Sequence, residues 1–519
     1  MKQYWKTSLM ALTVVSLASA VTTLTAVTAD AADAPASPEG AIRVALSAGA
    51  STFDPVYNDL PAGDTVQRQV FDGLYRLDAK NQIQKDLATE SHFSDDGMTF
   101  TVTIVTGRKF SNGDPLDAAA VVASFDRLAD PKTASPYRGL YASLGKAEAV
   151  SPNTIAFHLT QKNGHLLTLL AADPADIVDV KVAAQMGAEY GRKPVGSGPY
   201  LVSNYIGGES YDLVPNPSYQ GDHPATLKSI HFMIAPEDGS RMALLQTGDV
   251  QLAERVPSES IPAINKMKTA SVVTLPSMFS INLELVLNGP LKDPRVREAL
   301  NLAVDRKGMI EGILGGLGIP SVGMPGPGTQ DDLRTTFPPI PFDPQKAQAL
   351  LKQAGYRPGQ LSLTMTCPTG RYIKDSQICQ ALQGSFNAIG IKLKANIVDL
   401  PTWSAVVNTP PSARKDNMGM VGRGTAGMDY TLYRLFHSNV DSNRTGFNDP
   451  KVDQLLDQGR ATTDLQQQKT IYAQIQKIIW DQQPFVFLWY QKQAFGIANV
   501  VKGFQARPDE VMDFDHVHL

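Results

Sequence analysis

Between Phe93 and Leu128 the hydrophobic pattern changes period. Asp96-Gly97 is a hairpin signal, because glycine tolerates the positive φ that such turns need. Met98, Phe100, Val102 and Ile104 then alternate with threonines, which predicts a half-buried strand. Asp114-Pro115 follows and predicts a helix, with Asp as N-cap and Pro at the first helical position. The same opening recurs at Asp293-Pro294, before Val296, Ala299, Leu300 and Ala303. It recurs again at Asp343-Pro344, before Ala347, Leu350, Leu351 and Ala354, with Gly355 ending that helix. Both runs place apolar residues on one helical face. Ile42 to Leu46 reads as a strand. Strands and helices mix along the chain, which predicts α/β layers.

The first residues follow a different pattern. Lys2 and Lys6 precede an apolar run from Leu9 to Ala18, and small residues follow at Ala18-Ser19-Ala20 and Ala29-Asp30-Ala31. A positive end, a short apolar run and an A-x-A site predict a secretory signal peptide, taken as 1–31, cleaved after Ala20 or Ala31. The run is too short to cross ~30 Å of hydrocarbon. No cysteine lies near the cleavage region, so the expectation is a periplasmic protein that is not a lipoprotein.

The 519 residues have room for two or three domains. A formal charge of −4 argues against nucleic acid as a partner. Two cysteines, Cys367 and Cys379, exclude a disulfide scaffold and a multi-cysteine metal cluster. Outside the cytosol they either form one small-loop disulfide or remain buried thiols; spacing alone does not choose. Gly422 to Gly427 matches G-x-G-x-x-G, but no second strand ending in an acid follows. The glycines are therefore expected to mark a close backbone approach, and no cofactor is expected. No nucleophile–base motif is present, so the chain is not read as an enzyme. His516 and His518, with Asp513 and Asp515, offer metal-ligand types without ligand spacing, and no metal site is assigned.

Several blocks resemble one family in collinear order. Phe93–Leu128, Arg192–Tyr200 (RKPVGSGPY), Arg241–Val250 (RMALLQTGDV), DPRVREALNLAVDR, FDPQKAQALLKQAGY, FNDPKVDQLLDQG and VKGF are similar to segments of bacterial extracellular solute-binding proteins of family 5. These are the substrate-binding proteins of peptide and nickel ABC importers. The resemblance implies a two-lobed periplasmic-binding-protein clamp of the type II, peptide-binding class. It implies a discontinuous lobe I (32–78, 193–279 and 485–519), an extra domain of lobe I (79–192), and lobe II (280–484). The implied function is capture of a peptide or peptide-like, anionic solute by a monomer. The implied partners are an inner-membrane ABC permease and its ATPase. A nickel or metallophore complex, or an opine or sugar conjugate, is the alternative ligand.

By the same resemblance, Arg371 in TGRYIKD matches the arginine that clamps a ligand carboxylate. Arg423 stands where a tryptophan is usual and Ala426 where an aspartate would hold a peptide's ammonium. Arg423 either adds a second positive group or meets solvent or an internal acid. Asp429, followed by Tyr430, either replaces the missing aspartate or caps the following helix. Asn58, Asp59, Glu254 and Trp403 are the other implied ligand contacts.

Overall fold

A computed structural model describes residues 40–58, 60–328, 333–424 and 427–519. The expected signal peptide, Asp59 and Ala426 lie outside the described residues. The strand after Asp96-Gly97 spans Thr99–Ile104 and pairs across that turn with Ala88–Phe93. Phe100, Val102 and Ile104 are buried, against Val121, Phe125 and Leu128 of the helix Ala118–Ala129. That helix begins later than Asp114-Pro115 predicts. Asp117 is its N-cap, accepting from the Ala119 and Ala120 amides at 3.0 and 3.1 Å. Asp114-Pro115 instead closes a tight loop, in which the Phe110 N–H donates to the Asp114 carbonyl and Pro115 bridges to Lys109. The other two openings behave as expected. Asp293 caps Pro294–Leu302 and Asp343 caps Pro344–Gln353 through side-chain bonds of 2.9 and 2.8 Å.

Eleven strands form the large sheet. In chain order they are β1 (Ala41–Leu46), β2 (Tyr200–Ile206), β3 (Ser210–Pro215), β4 (Ser229–Ile234), β5 (Leu252–Ala253), β6 (Ala270–Leu285), β7 (Gly318–Pro320), β8 (Ser362–Pro368), β9 (Lys392–Val398), β10 (Met418–Arg423) and β11 (Phe485–Ala498). Their spatial order is β9-β8-β10-β6-β11-β5-β1-β4-β3-β2, with β7 also on β11. Each half has a parallel centre: β1 runs parallel to β4 and β5, and β8 runs parallel to β9 and β10. Parallel strands are covered on both faces. Accordingly Ile42, Val44 and Leu46 enter one core with Phe53, Phe232 and Phe514, while Ala45 enters the core on the other face.

The halves meet at the antiparallel pair β6–β11. Its register shifts between Pro276 and Ser280, where proline has no N–H to give the ladder. There the chain near the C-terminus docks: the Met278 N–H donates to the Pro508 carbonyl at 2.8 Å. The inserted four-stranded sheet of Ala88–Phe93, Thr99–Ile104, Thr154–His158 and Lys146–Ser151 is anchored to the β1 half by a two-pronged Arg127–Asp54 pair at 2.9 and 2.5 Å. Cys367 of β8 is bonded to Cys379 of the helix Asp375–Ala388, tying that helix to the sheet; both sulfurs belong to the core.

Candidate functional site

The segment after β8 is wound around one carboxylate. Asp375 accepts from the backbone N–H groups of Gly370, Arg371 and Tyr372 at 3.2, 2.8 and 3.1 Å. The Tyr372 hydroxyl in turn accepts from the Gly422 N–H at 2.7 Å, and burial pushes this phenol's pKa up. Trp403 stands edge-on behind Tyr372 and donates from Nε1 to the Met420 carbonyl at 2.9 Å. A Cβ on Gly422 would lie 2.6 Å from the Tyr372 ring, and one on Gly424 would lie 2.7 Å from Phe279. The glycine pattern therefore serves close approach. The pattern begins within the end of β10 and the helix Met428–Phe436 follows, but among the described residues the chain then runs to another helix, Pro450–Ala461, with no second strand between them.

Arg371 opens onto a cavity of about 330 Å³. One wall is Gly370–Asp375 from the β8 half. The other includes Glu254 and Arg255 after β5, Gln491–Phe495 of β11, and Glu510. The volume is at the small end of the range for ligand pockets. The Arg371 guanidinium sits 5.3 Å from the centre of the Tyr372 ring and makes no ion pair among the described residues. Glu254 reaches the same cavity, with one carboxylate oxygen accepting from the Ser47 N–H and hydroxyl at 2.7 and 2.6 Å.

The other expected contacts lie elsewhere. Arg423 is no second free positive group: it meets an internal acid, Glu284 of β6, in a two-pronged pair at 2.6 and 2.9 Å. Asn58 is buried and spends its amide on Leu60, Asp64 and Gln67, organising the start of the helix Pro61–Val70. Trp403 is held behind Tyr372 and is not part of the cavity wall.

The model for "Bacterial extracellular solute-binding proteins, family 5 Middle" matches residues 82–444. The chain belongs to this family. Among curated relatives, the glutathione-binding protein GsiB of Salmonella paratyphi A is 29% identical over 485 residues, 92% of this chain and 94% of its own. Two solved structures share the fold. The ABC transporter substrate-binding protein CtaP of Listeria monocytogenes superposes with a TM-score of 0.83 at 22% identity, covering 93% of this chain and 100% of its own. The binding protein AgaA of A. tumefaciens R10, in complex with agropinic acid, gives 0.78 at 24%, covering 92% and 99%.

Two residues of this family 5 protein line a different cavity, of about 520 Å³, beside the inserted sheet. Asp429 sits in the first turn of the helix Met428–Phe436 but does not cap it. Its carboxylate accepts two bonds from Arg460, at 3.0 and 2.8 Å, and one from the Tyr472 hydroxyl at 2.8 Å. The Tyr430 hydroxyl accepts from Arg434 at 3.2 Å. At the C-terminus, Asp513 and Asp515 accept from Arg68, and Asp515 also from Arg76. Among the described residues no group of three His, Cys, Asp or Glu side chains converges as metal ligands would, and no helix is long and apolar enough to cross a membrane. Sequence reasoning passed over Arg255, Lys374 and Glu510 of the cavity wall. Their signal is a left-handed backbone at residues other than glycine, which the sequence does not display.

Proposed function

We propose that this family 5 protein is the exported, periplasmic solute-binding component of an ABC importer and takes a short peptide or peptide-like solute. The observation that carries the reading is the cavity between the two halves of the sheet, with the unpaired Arg371 on one wall and charged residues of the other half facing it. A planar guanidinium suits a ligand carboxylate, because two parallel charge-assisted bonds form at once. The lobes of the clamp are the segments 32–78, 193–279 and 485–519 on one side and 280–484 on the other, with 79–192 inserted in the first. Closing them around the solute excludes water and strengthens each polar contact. The closed form is then what a permease and its ATPase distinguish from the open form. The protein acts as a monomer and releases its solute chemically unchanged.

The glutathione named for GsiB and the agropinic acid named for AgaA are both within the chemistry of such a site. The test is to purify the protein from periplasm without denaturant, unfold it, and identify the released small molecules by mass spectrometry. A peptide or a carboxylate-bearing conjugate supports the reading. A nickel complex as the released species, or turnover of an added peptide, overturns it.

A further inference from the structure

Among the described residues, six other than glycine have a left-handed backbone, and three of them, Arg255, Lys374 and Glu510, line the cavity that holds Arg371. Such conformations are costly for a residue with a Cβ and persist where the surroundings enforce them, often at ligand sites. Here they aim charged side chains from three separate segments at one space. One of the resulting charges, and one acid beside it, have local uses. Lys374 pairs with Glu259 at 2.7 Å, and Glu254 beside them is engaged by Ser47. Glu510 is different. Its nearest cation is Arg255 at 3.7 Å, beyond an ordinary charge-assisted bond, and the Ser277 hydroxyl is 3.5 Å away. Burial pushes its carboxyl pKa up, against the opposing pull of Arg255 and Arg371.

Arg371 and Glu510 therefore face one cavity from opposite walls, Arg371 without an ion pair among the described residues and Glu510 with only the long 3.7 Å contact to Arg255. Arg371 comes from the β8 half. Glu510 comes from the chain near the C-terminus, which is held on the β1 half by Met512, Phe514 and Val517. An anion alone would satisfy the arginine and repel the acid. A cation alone would do the reverse. We propose that Glu510 takes the ammonium of a short ligand whose carboxylate meets Arg371, so that the cavity selects molecules carrying both a free amine and a free carboxylate. This rests on the solute-binding reading above and names the ligand class within it. It also makes lobe closure depend on the ligand, since each half supplies one of the two charges.

The test uses random di- and tripeptide libraries, with γ-glutamyl peptides included, presented with free ends, N-acetylated, or C-amidated. Retained species are quantified by mass spectrometry on the wild type and on Glu510→Gln and Arg371→Gln. The wild type is expected to prefer free-ended peptides over N-acetylated ones by about tenfold to a hundredfold, the range for a charge-assisted contact. Glu510→Gln should bring that ratio to about one while keeping the preference for a free carboxylate over an amide. Arg371→Gln should do the opposite. A merely structural role for Glu510 would lower free and acetylated binding alike, and that result overturns the inference, as does an unchanged ratio. If the wild type retains no library member, the peptide reading fails and this inference with it. If it retains peptides and only the ratio fails to respond, this inference alone is lost.

Discussion

The seam beneath the inserted sheet and the cavity at Arg371 both concentrate charge, yet they treat it differently. At the seam three guanidinium groups find acids. Arg127 grips Asp54 with two nitrogens, Arg68 reaches Asp513 at 2.8 Å, and Arg507 holds Asp509 at 3.0 and 2.9 Å. At the cavity, Arg371 makes no ion pair among the described residues, and Arg255 stays 3.7 Å from Glu510. Paired buried charge is structure: removing one partner strands the other in a low-dielectric interior. Unpaired charge facing an open volume is capacity for a ligand. The lesson is to ask of each arginine what it already holds.

The strongest way to break this comparison is at Arg423, which the sequence left open between a second positive group beside Arg371 and a contact with solvent or an internal acid. Its Glu284 partner has a side chain only 1% exposed. Glu284→Ala should therefore cost roughly 3–5 kcal/mol of stability by leaving the guanidinium buried and alone, read as a fall in the denaturant midpoint. A change in ligand affinity without loss of stability would return Arg423 to the site. Arg371→Ala should give the mirror result. An anionic ligand should bind roughly tenfold more weakly or worse, measured by calorimetry, with the unfolding midpoint unchanged. Equal affinity would remove Arg371 from the site.

A smaller effect concerns the second cavity, where His165 touches the Tyr472 hydroxyl at 3.1 Å. Burial lowers the His165 pKa below its ordinary value of 6.5, against the attraction of Asp429 and with the repulsion of Arg460. The unfolded chain then binds a proton that the folded chain refuses. Stability should be full above about pH 6.5 and fall as pH drops from there through the lowered folded value, by at most about 1.4 kcal/mol per pH unit. His165→Gln should flatten the urea-midpoint profile between pH 6.5 and 5. An unchanged slope would show that His165 does not titrate in this window.

How much of this was legible in the sequence follows from the range of the forces involved. Local devices were: the Asp-Pro caps at 293 and 343, the Asp96-Gly97 turn and the alternation of Phe100, Val102 and Ile104 depend on neighbours within a few residues. Asp114-Pro115 misled because a second capping acid, Asp117, stands three residues on, and the pattern alone does not say which acid finds free N–H groups. Pairings across the chain were not legible. Arg423 and Glu284 are 139 residues apart, and the link between Asp429 and Tyr472 spans 43. Both are made by sheet order and helix packing, which residue type does not specify. Glu510 was invisible for the same reason: its role depends on where the chain near the C-terminus docks on β6.

Trp403 sets the finest test, because the sequence put it in the ligand's path and the structure puts it one layer behind. Its indole N–H holds the Met420 carbonyl, and its ring stands edge-on to Tyr372, whose hydroxyl fixes the Gly422 amide. Trp403→Phe keeps an aromatic surface against Tyr372 and deletes the hydrogen bond. The expected cost is about 1 kcal/mol of stability, with ligand affinity lowered by less than for Arg371→Ala, since the phenylalanine still supports the Tyr372 ring. Trp403→Ala would open the space behind Tyr372 and should cost about 3–5 kcal/mol. If Trp403→Phe instead abolished binding while stability held, the indole would be a ligand contact and not a support behind Tyr372.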